Sequence, residues 1–198
     1  MKLFKKYSKF IKIGTATIAL SGIFFPLVNI SVHLLGTADI SFGLIDILRS
    51  LSDEASHEVF DLVTSDILSS DIGMHIFLLF AAYILAIILT VITLILTFTN
   101  KLKIVKIAFV STATILMVYT GIRINALPEV LIYYLEETLV DHLDGFIGFL
   151  TSIIDFSNIF EINLGLGYWI TLSALLLLLM LLIIIKTVKP RKSRIKKG

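Results

Sequence analysis

The sequence predicts an all-α integral membrane protein, a four-span helical bundle with both termini in the cytoplasm. An extracytoplasmic cap of amphipathic helices and a small three-stranded sheet complete the expected fold. Three observations point there. The chain has 198 residues, 57% of them hydrophobic, and a mean hydropathy of +0.98, well above an ordinary soluble domain. Ile76–Phe98 and Ile107–Gly121 carry no charged residue and are joined by a short turn holding Lys101, Lys103 and Lys106, which makes a membrane hairpin with a basic, cytoplasmic tip. Lastly, the charges are segregated. Of seventeen Lys and Arg, all but Arg49 and Arg123 lie in Lys2–Lys12, Lys101–Lys106 and Lys186–Lys197, whereas all fifteen Asp and Glu lie in Gly36–Ile72 and Ile122–Asn163. Four spans that start and end inside, with two acidic outer segments, satisfy this pattern.

Taken in order, residues 1–9 form a basic, amphipathic cytoplasmic start that can lie on the inner leaflet. The first span is expected over residues 10–27, with Lys12 reaching back to the headgroups. A secretory signal cleaved after the small residues near Ser21 competes with it. Apolar residues run past that point to Phe25, which favours an uncleaved span. Pro26 ends or kinks the helix. Val28-Asn29-Ile30-Ser31-Val32-His33 then alternates apolar and polar, the period of a half-buried strand, and Asp39-Ile40-Ser41-Phe42 alternates again, so a hairpin is expected. The competing expectation is that Leu27–Leu35 continues the helix.

Outer segment 1 covers residues 28–73. Within it Leu48, Leu51, Val59 and Leu62 belong to a stripe at three- and four-residue spacing, an amphipathic helical piece of the cap. Residues 74–99 form the second span, 100–106 the turn and 107–121 the core of the third span. Ala82, Ala86 and Thr90, and Ala108, Thr112 and Thr120, form small-residue rows expected to act as helix-packing seams, because small side chains let backbones approach closely in lipid. A polar conduit along the threonines is the alternative. Outer segment 2 covers residues 122–164. Pro128 suits the first turn of a new helix there, and Leu131, Leu135 and Leu139 give that helix an apolar face. Ile159–Leu164 alternates and is expected to add a third strand. Tyr168 and Trp169 open the last span, 165–185, at the level of an outer aromatic belt. A basic cytoplasmic tail, 186–198, follows.

Four spans, both ends inside and two outer loops resemble the topology of claudins and tetraspanins, and the sheet brings the resemblance nearer the claudins. The paired outer cysteines of those families and the tryptophan-containing loop motif of claudins are missing, so no residue role and no function carries over.

The chain contains no cysteine, which excludes disulfides, thiolate metal ligands and cysteine nucleophiles. Asp53, His57 and Asp61 lie four apart, so one helical face could present an imidazole between two carboxylates to a divalent cation. A solvated charged face is the reading adopted, here and for Asp71 with His75. There is no Gly-x-Ser-x-Gly elbow, phosphate-cradling glycine loop or His-Glu-x-x-His run, and no ionisable residue falls at mid-span, where pumps and coupled transporters need one. The expectation is therefore a non-enzymatic protein without cofactor or metal. Its partners are anionic inner-leaflet lipid and another protein, met in the membrane or outside, and no nucleic acid. Accessory subunit, envelope scaffold or adhesion protein, and immunity protein are the candidate roles. A subunit of an oligomeric channel or transporter is the alternative.

Overall fold

The structure, a computed structural model, describes residues 2–33, 37–45, 71–98, 102–142 and 160–187. Four helices and three strands make up this part: α1 (Lys2–Ser21), β1 (Val28–His33), β2 (Thr37–Phe42), α2 (Asp71–Phe98), α3 (Lys103–His142), β3 (Phe160–Leu164) and α4 (Leu166–Thr187). Each helix packs on two others, α1 on α2 and α4, and α3 on α2 and α4, so the four close into a ring. Neighbours run antiparallel. The Lys9 ammonium at the start of α1 donates to the Phe98 carbonyl at the end of α2, at 3.2 Å. At the other end of α1, the backbone of Pro26 and Leu27 accepts from Gly167 and Gly165 at the start of α4, both at 2.8 Å.

Three helices are long and apolar enough to cross a membrane: Gly73–Phe98, Lys103–Tyr133 and Leu166–Ile184. The exception is α1. Its α-helix ends at Ser21 and tightens into a 3-10 turn over Gly22–Phe24, rather than running to residue 27. Five lysines in its first eleven residues leave a shorter uncharged stretch. The chain then turns at Pro26 into β1, so the helix does not continue through Leu35. The strand order is β2-β1-β3, antiparallel throughout. Ile30 stands between Ile40 and Ile162, while Ser31 stands between Asp39 and Glu161. Val28 and Ile162 are buried with the bundle core, and the polar residues line the opposite face.

Two further expectations need correction. Pro128 does not begin a helix, because α3 runs unbroken for 40 residues with Pro128 inside it. The proline removes the amide that would reach the Ile124 carbonyl, but the helix continues past it, and Leu131 packs against the core. The third-helix seam is also misplaced, except at Thr120. Ala108 and Thr112 are exposed, and the buried face runs through Val110, Ala113, Met117, Thr120 and Ile124. In α2, Ala82, Ala86 and Thr90 are buried.

This difference gives a direct test. Ala86→Leu should cost about 2 kcal/mol through overpacking at a fully enclosed position. Thr112→Leu, on the outer face, should stay within about 0.5 kcal/mol. Unfolding of the purified protein in detergent measures both.

The expected cap residues Leu48, Leu51, Val59 and Leu62 lie outside the described residues, as do the trio Asp53, His57 and Asp61 and the side chains of Leu135 and Leu139.

Candidate functional site

The most connected polar side chains among the described residues join α2 to α3 at the sheet end of the bundle. His75 is 7% exposed, so it belongs to the interior rather than to a solvated face. Its Nδ1 faces Arg123 Nη1 at 2.9 Å, and its Nε2 faces the Arg123 carbonyl at 2.9 Å. A guanidinium can only donate. Nδ1 therefore accepts, and Nε2 carries the proton that the carbonyl receives. Both ring nitrogens are spent on Arg123, which leaves no lone pair for a metal ion or for a proton taken from a substrate. Arg123 also donates through Nε to the Tyr119 hydroxyl at 2.8 Å, and its guanidinium lies 5.1 Å from the centre of the Tyr119 ring. The arrangement is a clasp: one arginine, held by a histidine from the facing helix and a tyrosine from the turn before.

Below the clasp the interior is threonine-rich. Thr90, Thr97, Thr114 and Thr120 donate to the carbonyls four residues earlier, at 2.7–2.9 Å. A hydroxyl whose proton is spent within its own helix has no donor left for a passing anion, while its oxygen lone pairs remain. Thr171 instead donates across to the Ala19 carbonyl at 3.1 Å, which ties α4 to α1. Tyr83 is fully enclosed, with its hydroxyl beside that of Thr171, and the buried Thr93 hydroxyl makes no hydrogen bond among the described residues. A buried hydroxyl without a partner carries a desolvation cost with nothing to offset it. Thr93→Val should therefore raise the stability of the bundle by about 1 kcal/mol, measured by thermal unfolding in detergent.

Where α1 meets α4 the backbones touch. A Cβ at Gly22 would strike the Thr171 hydroxyl and come within 2.7 Å of the Gly167 carbonyl. A Cβ on Gly121 would collide with the Tyr168 hydroxyl and lie 2.7 Å from Cζ. Tyr168 is accordingly buried, while its neighbour Trp169 is exposed and meets it edge-on at 5.3 Å. Of the two, only Trp169 is left on the outside of the bundle.

Among the described residues no group of three or more His, Asp and Glu could hold a metal ion. Of the residues singled out from the sequence, the structure brings Ala82, Ala86 and Thr90 to the buried face of α2 and leaves Ala108 and Thr112 outside. Sequence reasoning missed the pairing of His75 with Arg123. The available signal was that each is the sole basic group at its span's acidic end. No family model matches this chain, and comparison with curated proteins and with solved structures gave no match.

Proposed function

We propose that this chain is a non-enzymatic, four-span protein of the cytoplasmic membrane that presents an outer surface to a protein partner, foremost as accessory subunit of a larger membrane complex. Its termini face the cytoplasm. The sheet is the observation that carries this reading. Backbone bonds from Gly165, Gly167 and Leu27 fix its root to the α1 and α4 ends, and Val28 and Ile162 bury one face. The other face offers Asn29, Ser31, Asp39, Ser41, Glu161 and Asn163. It is partly self-ordered, since Ser41 donates to Asn29 and Asn163 donates to Glu161. A polar platform whose root is hydrogen-bonded to a helix bundle suits recognition, because less ordering entropy is left to lose on binding. The absence of charge from Ile76–Phe98 and Ile107–Ile122 supports the same reading against a conduit.

The span of α1 is part of the proposal. Although its uncharged stretch is short, α1 reaches from the Phe98 end of α2 to the Gly165 end of α4. Lysine stems can carry Lys9 and Lys12 to the headgroups while the helix body stays in the hydrocarbon. On α3, Ile107–Ile122 carries no charge, about 24 Å of helix at about 1.5 Å per residue, and the basic groups on either side of it bring this to a hydrocarbon thickness.

The natural chain lacks cysteine, so introduced thiols report cleanly. Ser41→Cys should react with a membrane-impermeant reagent in intact cells and Ser193→Cys should not; labelling of Ser193→Cys would reverse the topology. A photo-crosslinking residue at Ser41 or Asn163 in native membranes should give a discrete protein adduct, and one at the outward-facing Ile115 should not. If the sheet positions give no adduct and the purified protein conducts ions in liposomes, the transport reading replaces this one.

A further inference from the structure

The two edges of the sheet differ. On one side β3 packs along α3. On the other, β2 hydrogen-bonds to β1 and, through the Phe42 carbonyl, to the Leu27 amide. The backbone groups that β2 turns away from β1 meet no partner among the described residues. Proteins usually blunt such an edge with lysine, proline, a bulge or a very short strand. Here none of these is present. The six residues Thr37–Phe42 include no Lys, Arg or Pro, and they pair one to one with β1 without a bulge. A regular row of free amides and carbonyls is a template for one more strand. Both faces along this edge are unfinished too. On the bundle side Val28 is 6% exposed, but Phe42, directly across from it, is 41% exposed. Apolar burial thus fades toward β2. On the outer side Ser31 stands between Asp39 and Glu161, Asp39 is exposed, and the three strands contain no Lys or Arg.

We propose that β2 takes up an extended segment of another protein as a fourth strand, antiparallel to β2, with a Lys or Arg facing Asp39. Antiparallel pairing matches the rest of the sheet and is slightly the more stable per residue. The register then sets the partner's pattern. The residue opposite Phe42 is apolar and covers it, and the residue three further on falls opposite Asp39, on the other face. The segment therefore reads apolar, polar, apolar, basic. A second copy of this chain fits less well, because its strands offer Asp39 no cation and set two acidic faces side by side. The inference rests on the protein-partner reading above and deepens it, adding the edge of the sheet to the contact and giving the partner's sequence pattern.

The test uses the purified full-length protein in detergent at low salt, with three fluorescent hexapeptides whose ends are blocked. The first is Val-Thr-Val-Lys-Val-Thr, the second carries Glu in place of Lys, and the third is the first with every amide methylated. The lysine peptide should bind about fivefold more tightly than the glutamate peptide, since an opposite-charge pair across the strands replaces a like-charge one. Asp39→Lys should reverse that order. A damaged fold would weaken both peptides alike, so the reversal separates loss of a contact from loss of the sheet. The methylated peptide should not bind, because it has no amide hydrogen to donate to β2. Binding of the methylated peptide, binding of none of the three, or an unchanged preference in Asp39→Lys would overturn the edge site. A dimer in detergent whose two chains are linked to each other through Ser41→Cys would make the occupant a second copy and overturn the partner assignment. The peptides need no native partner, whereas crosslinking from Ser41 and Asn163 finds a partner wherever it docks. Adducts from those positions without peptide binding would remove the edge site and leave the protein-partner reading standing.

Discussion

Gly167→Ala is expected to destabilise the bundle by about 3 kcal/mol, a large effect for a single methyl group. The Cβ would lie 2.6 Å from the Phe25 carbonyl oxygen and 2.9 Å from that of Pro26, and would also press on the Gly22 carbonyl. All three are backbone atoms of the turn leaving α1, so no side chain can rotate away. The Gly167 amide must at the same time stay within reach of the Pro26 carbonyl, now 2.8 Å off. Relief therefore means separating α1 from α4, which strains the Thr171–Ala19 bond and the root of β1 together. Gly14→Ala is the control: its Cβ meets nothing within 4 Å, and in mid-helix the change should stabilise by about 0.5–1 kcal/mol. Unfolding in detergent should separate the two variants by several kcal/mol. Equal stability would show that the α1–α4 junction is not close-packed.

His75→Leu should cost about 2–3 kcal/mol, because it leaves Arg123 Nη1 without its acceptor at a partly buried position, with only the Tyr119 hydroxyl still facing Nε. Hydrogen bonds to charged groups are the strong ones, and the orphaned charge accounts for most of the loss. Arg123→Leu should cost less, since the histidine it abandons is neutral. The double variant should be more stable than His75→Leu alone, as both polar partners are gone and apolar contact takes their place. His75→Gln can accept from Arg123 and donate to its carbonyl, and should recover part of the loss. Additive single effects in this cycle would show that the two residues are not coupled.

Legibility differed between elements for physical reasons. Both α2 and α4 could be read because long charge-free runs have few other uses, and the strands because strict alternation survived in β1, β2 and β3. The continuity of α3 was hidden by Pro128, whose preference for a first helical turn is real, yet in a bundle neighbouring groups let a helix carry a proline inside. The face of α3 was hidden for a deeper reason. Polarity tells outside from inside only where one side is polar; α3 is apolar all round, and the row Ala108–Thr112–Thr120 looks as good a seam as Val110–Ala113–Met117. Nothing local reveals that Gly165 faces Pro26 and Leu27, or that Gly167 faces Gly22, all far away in sequence. The His75–Arg123 clasp was invisible for the same reason: its halves lie 48 residues apart.

The junction of α1 with α4 also bears on the order in which the molecule can be built. A chain made from its N-terminus delivers α1, β1 and β2 first, then the α2–α3 hairpin, whose pairing is local and needs nothing later. The partners of Gly22, Pro26 and the second edge of β1 arrive only with β3 and α4, over a hundred residues afterwards. Until then α1 must wait beside the hairpin with its glycine face and one strand edge unmatched. A chain stopped before Phe160 would keep them so, leaving exposed the surfaces by which a quality-control system can recognise an unfinished bundle.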